Sequence, residues 1–74
     1  MTSLPALKPR VVLNVLHRNG FEIVRIRGSH HQLLNPSTKH RVTVPFHTRD
    51  LSRATLRSII QQAGMSEEEF LKLL

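Results

Sequence analysis

The stretch Phe21-Glu22-Ile23-Val24-Arg25-Ile26-Arg27-Gly28-Ser29-His30-His31-Gln32-Leu33-Leu34-Asn35 decides the fold. Its first seven residues alternate and are rich in Phe, Ile and Val, which predicts a strand over 21–27. On an even alternation Val24 and Ile26 share one face with Glu22, and Ile23, Arg25 and Arg27 share the other. The arginine face is expected to meet solvent or ligand, because burying two unpaired guanidinium groups is costly. Gly28-Ser29 breaks the run as a turn, and 30–35 reads as a second strand. Asn35-Pro36-Ser37-Thr38-Lys39 is a dense turn cluster. A third strand follows over 40–45, with Val42 and Val44 towards the core and Arg41 and Thr43 outward. Connections this short make the three strands an antiparallel meander.

Working outward, Lys8-Pro9 opens a helix, proline being suited to the first helical position. Val12, Leu13 and Leu16, with Val15 beside them, form its apolar stripe, and Gly20 closes it. Residues 1–7 carry Pro5 and no periodicity, and read as an N-terminal tail before a single domain over 8–74. Downstream, 46–51 is a polar loop and Ser52 is the expected N-cap of a second helix. Leu56, Ile59, Ile60 and Ala63 then recur at i, i+3, i+4 and i+7, the clearest amphipathic pattern in the chain. Gly64 stops that helix. Ser66 and Glu69 match a capping box and open a short third helix whose Phe70, Leu71 and Leu74 pack back. The predicted class is α+β, in the order αβββα with a terminal helix. It places two helices on one face of a three-stranded antiparallel sheet, the order of a double-stranded-RNA-binding domain.

Composition narrows the partners. Eleven Lys and Arg against five Asp and Glu give a formal charge of +6 on 74 residues. Three of the five acids are Glu67, Glu68 and Glu69, so the first 60 residues are more basic still. The usual partners of such a surface are phosphate backbones, anionic membranes or acidic proteins. Three aromatics, Phe21, Phe46 and Phe70, are too few for a base-stacking sheet, and Phe46 and Phe70 are expected to cap the core. There is no cysteine, hence neither disulfides nor a thiolate zinc site to support a domain this small. The first residues lack the charge and apolar run of a signal peptide, and no segment has the roughly 20 apolar residues of a membrane helix. A cytoplasmic protein without membrane contact is expected.

Two histidines follow the Gly28-Ser29 turn. Histidine gives and takes protons near neutral pH, and strand alternation sends His30 and His31 to opposite faces. On the residues alone, a strand-start histidine that bonds a loop is the commoner reading of His30. His31 reads as structural or a minor contact. His17, His40 and His47 complete the inventory, but no spacing fits a zinc pattern and no carboxylate or thiolate accompanies them. Neither metal nor cofactor is expected.

Three motifs in order change that balance. Arg27-Gly28-Ser29-His30-His31, then Arg41-Val42-Thr43-Val44-Pro45, then Thr55-Leu56-Arg57-Ser58-Ile59-Ile60-Gln61-Gln62-Ala63-Gly64 resemble the HicA toxins, small bacterial mRNA interferases with a double-stranded-RNA-binding-domain-like fold. The resemblance spans roughly residues 8 to 73. It implies an endoribonuclease toxin of a type II toxin–antitoxin system that cleaves mRNA without a metal and is neutralised by a HicB-type antitoxin. It also implies that His30 is the catalytic histidine. Arg25, Arg27, Ser29, Lys39, Arg41, His47 and Arg49 are the expected RNA contacts, with Arg25, Arg27 or Arg41 stabilising charge on phosphorus. Lys8, Arg10, Arg18, Arg57 and Lys72 read as solvated surface. The alternative function is a double-stranded-RNA-binding module without catalysis.

Overall fold

Proline at the start and basic residues at the end suit a helix to its own dipole. The computed structural model, which describes residues 3–74, has α1 there, over Pro9–Arg18, with His17 and Arg18 in its last turn. The strands β1 (Glu22–Arg27), β2 (His30–Leu34) and β3 (Arg41–Pro45) follow, then the helices α2 (Arg53–Gln62) and α3 (Glu67–Lys72). The sheet is antiparallel in the order β1-β2-β3. Both expected caps are formed. The Ser52 hydroxyl accepts from the Thr55 N–H, and Ser66 and Glu69 close a reciprocal capping box.

The two faces of the sheet differ sharply. Leu33, Val42 and Val44 are buried on an inner face. Against them lie Val12, Val15 and Leu16 of α1 and Leu56, Ile59 and Ile60 of α2, in one core cluster closed by Phe21 and Phe70. Fully burying side chains of this kind contributes about 1.5–3 kcal/mol each. The outer face carries Arg25, Arg27, His30, Arg41 and Thr43, all exposed.

Four expectations need correction, the smallest being Leu74, which is exposed at the chain end while Leu71 and Leu73 pack on the core in its place. The alternation in β1 is not even: Ile23 pairs with Leu33 but Arg25 pairs with Gln32, so Val24 is an extra residue in a β-bulge. A bulge shifts the side chains that precede it to the other face. Ile23 therefore lies with Ile26 on the inner face, and Glu22 joins the arginines outside. Phe46 does not cap the core; it is exposed and stacks on His31. Finally, the stretch read as a tail is tied down. Leu4 is 1% exposed and sits in the core. Its carbonyl accepts from Arg53 Nε at 3.2 Å, and the Leu7 carbonyl accepts from the Leu51 N–H at 2.8 Å. Met1 and Thr2 lie outside the described residues.

The β2–β3 turn is held from within. The buried Asn35 side chain accepts from the N–H groups of Ser37 and Thr38, at 2.9 and 3.3 Å, and its Nδ2 donates to the Asn19 carbonyl. This side-chain turn carries Lys39 into the left-handed region at φ 68° and joins the sheet to the end of α1. At the end of α2, Gly64 has φ 75°, and a Cβ there would run into the His40 ring. His40 is thus a packing neighbour of the α2–α3 corner.

Candidate functional site

A two-residue turn places His30. Gly28 supplies the left-handed conformation, φ 54°, that side chains disfavour, and Ser29 brings the chain back into β2. Because Leu33 is buried, alternation puts His31 inward and His30 outward. The outer face can then be laid out in rows across the strands. Arg27, His30 and Pro45 form the row at the turn end; Arg25, Gln32 and Thr43 form the next; Glu22, Leu34 and Arg41 form the last.

Residues facing each other across strands have Cβ atoms about 4.5–5.5 Å apart, so Arg27 is the immediate neighbour of His30. Arg25 is one row away. Arg41 is two rows away, roughly 13 Å along the strands, and Lys39 lies in the β2–β3 turn beyond it. Ser29 sits in the turn itself, where its carbonyl accepts from the Phe46 N–H. That bond holds the start of the loop after β3 at the same end of the sheet as His30, and His47, the next residue, lines a cleft there with Lys8, Arg10 and Phe46 on the α1 side. The structure therefore gathers Arg25, Arg27, Ser29, His30 and His47 towards one end and leaves Lys39 and Arg41 at the other.

The cations of this set are not used up internally. Among the described residues, Arg25, Arg27, Lys39, Arg41 and Arg49 make no side-chain hydrogen bond or ion pair, and the same holds for His30 and His47. The acids are engaged elsewhere: Asp50 pairs with Lys8 at 3.4 Å, Glu67 with Arg57 at 3.6 Å, and Glu69 caps α3. The Ser66 backbone N–H, and then its hydroxyl, hold the Glu69 carboxyl below the ordinary glutamate value. Glu22, in the row farthest from His30, is the carboxylate placed on the outer face. The strand rows at the turn end therefore carry cations and no carboxylate, and Asp50, in the loop beside them, is paired with Lys8. No group of three or more potential metal ligands occurs among the described residues.

Beneath His30 lies a feature that sequence reasoning missed. His31 stacks on Phe46 with ring centroids 4.7 Å apart and planes at 30°. Its Nδ1 is shielded from solvent and has no hydrogen-bond partner. The pair forms one wall of a wedge-shaped cavity of about 300 Å³ between α1 and the inner side of the β1–β2 hairpin, whose opposite wall includes Arg10, Leu13 and His17. An adjoining cleft runs from Arg10 and Phe46 to His47 and Thr48. The sequence signals were weak: a second histidine at the turn, and a phenylalanine just past the proline that ends a strand.

Fold and site together define a small basic α+β domain of double-stranded-RNA-binding-domain-like arrangement, with a turn histidine exposed on a cationic sheet face. Residues 10–65 match the family described as the HicA toxin of bacterial toxin–antitoxin systems, and the chain belongs to that family. It is thus a toxin-class chain, whose family implies an antitoxin as partner. No curated protein matches it. Among the described residues, no helix is long and apolar enough to cross a membrane.

Proposed function

We propose that this toxin is a ribonuclease that cleaves mRNA on the outer face of its sheet, with His30 as proton carrier, and that a HicB-type antitoxin neutralises it. The observation that carries the reading is the isolation of His30: one exposed imidazole on a face of unpaired arginines, with Arg27 directly across from it. Cleaving RNA through its own 2′-OH needs a base near that oxygen and an acid near the departing 5′-oxygen. A positioned histidine supplies one of these for about 10² to 10⁴ in rate. Arg27 and Arg25 bind the phosphate and stabilise the charge that builds on it. His31 cannot be the second proton carrier, since it faces the opposite side of the sheet. A water molecule, or His47 swinging out from the loop after β3, takes that part.

The non-catalytic RNA-binding module fits less well. Such a module presses a cationic helix N-terminus on the RNA backbone, whereas Arg53, the one cation in the first turn of α2, is drawn back to the Leu4 carbonyl. Controlled expression of the chain in bacteria separates the two readings. The ribonuclease reading predicts growth arrest with new 5′ ends in cellular mRNA, both lost in His30→Ala. An RNA-binding module leaves the mRNA intact, and that result would defeat the proposal.

A further inference from the structure

We propose that the wedge between α1 and the β1–β2 hairpin is a pocket for one unpaired RNA base, which sets the substrate relative to His30. The inference rests on the ribonuclease reading above and adds a preference for substrate with an unstacked nucleotide. Four observations carry it. Phe46 is 38% exposed and is already half of a ring stack with His31, so a planar base meets an aromatic surface that every base can use. His31, stacked behind Phe46 at the same wall, backs the ring against which a base would lie.

Charge and location complete the case. Arg10, at the mouth of the wedge, makes no hydrogen bond or ion pair among the described residues, and the cleft next to it continues to His47. A phosphate flanking an inserted base therefore meets the Arg10 guanidinium. Lys8 contributes less, since it already pairs with Asp50 and donates to the Thr48 carbonyl. Phe46 is also bonded through its N–H to the Ser29 carbonyl, in the turn that aims His30. A nucleotide seated on Phe46 thus lies at the same end of the sheet as the proposed catalytic residue but on the inner side of the β1–β2 turn, and the RNA strand rounds that end to reach His30. At about 300 Å³ the wedge is at the small end of ligand pockets, suited to a single base.

The test uses the full chain carrying His30→Ala, so that the RNA survives, and two RNA hairpins: one with a bulged 2-aminopurine, one fully paired. The bulged RNA should bind more tightly, with quenching of 2-aminopurine as it stacks. Adding Phe46→Ala should weaken the bulged RNA by about 5- to 160-fold, the range found for loss of a base–aromatic stack, and abolish quenching. Phe46→Tyr should restore both, and the paired RNA should be unaffected throughout. An equal effect on both RNAs, or none on either, overturns the pocket while leaving the ribonuclease reading intact. So does weakened antitoxin binding with both RNA affinities unchanged, which would make the wedge a protein-docking surface. Failure of the parent to bind either RNA overturns both readings. Should Phe46→Ala fail to fold, absence of quenching in the parent alone overturns the pocket.

Discussion

Replacing Leu4 by alanine should cost this protein a large part of its stability, although Leu4 precedes the first helix and the segment that matches the family. The side chain is 1% exposed within the central cluster. Leucine-to-alanine changes at such sites cost about 2–5 kcal/mol, the span reflecting how far the cavity collapses. At about 0.05–0.15 kcal/mol per residue, a chain of 74 residues has roughly 4–11 kcal/mol in all. A loss of about 3 kcal/mol therefore removes between a quarter and three quarters of it. For a domain of this size, each kcal/mol lowers Tm by about 4–8 °C, so the melting point should fall on the order of 10–25 °C. Removing residues 1–7 should cost more, because Leu51 and Arg53 also lose the carbonyls that accept their N–H groups. Urea unfolding of wild type, Leu4→Ala and the truncation, read by far-UV circular dichroism, measures this. A Leu4→Ala protein within about 0.5 kcal/mol of wild type, the range of an ordinary surface change, would refute the reasoning and return the stretch to a tail.

Other outcomes follow from single contacts. Gly64→Ala should destabilise by at least about 1–2 kcal/mol, the cost of a left-handed non-glycine residue, because the new Cβ also meets the His40 ring; thermal melting checks it, and His40→Ala should relieve part of the loss. Arg27→Ala and Arg41→Ala should each weaken RNA binding and lower the slope of log K against log salt by roughly 0.7–0.9, read by fluorescence anisotropy; unchanged slopes would remove those arginines from the phosphate track. Glu69 has a depressed folded pKa from the Ser66 N–H and hydroxyl. Its contribution is therefore present above the unfolded glutamate value of about 4.3 and lost as the pH falls below it through the folded value. Glu69→Gln should flatten the acid side of the stability–pH curve there, and an unaltered curve would contradict the linkage.

Most of the architecture was legible because local signals agreed with one another. Pro9, Ser52, Gly64 and the Ser66–Glu69 box each mark a boundary by stereochemistry or hydrogen bonding that needs no distant partner, and the observed helices stop within a residue or two of them. The β1 faces were not legible, because alternation assumes an unbroken ladder and the bulge at Val24 is visible only in the pairing with β2. Leu4 was hidden for a related reason: a lone leucine beside a proline has no period, and its burial depends on the start of α2 far along the chain. Within the site, the turn and its motif pointed to His30. The wedge at His31 and Phe46 depends on which of Leu33 and Leu34 faces inward, a choice made by α1 and α2 and not by the strand itself. The dispersal of the basic residues likewise needed the register, which sets Arg27 beside His30 and Arg41 two rows away.

The most direct measurement is cleavage of a structured mRNA by purified protein in the presence of EDTA, with His30→Ala alongside wild type and the folding and RNA affinity of both determined. The account predicts that the wild type cuts and that the variant, folded and binding RNA as before, is slower by about 10² to 10⁴. Cutting at equal rates by both would place the chemistry elsewhere, and binding without cutting by either would make this face an RNA-binding surface alone.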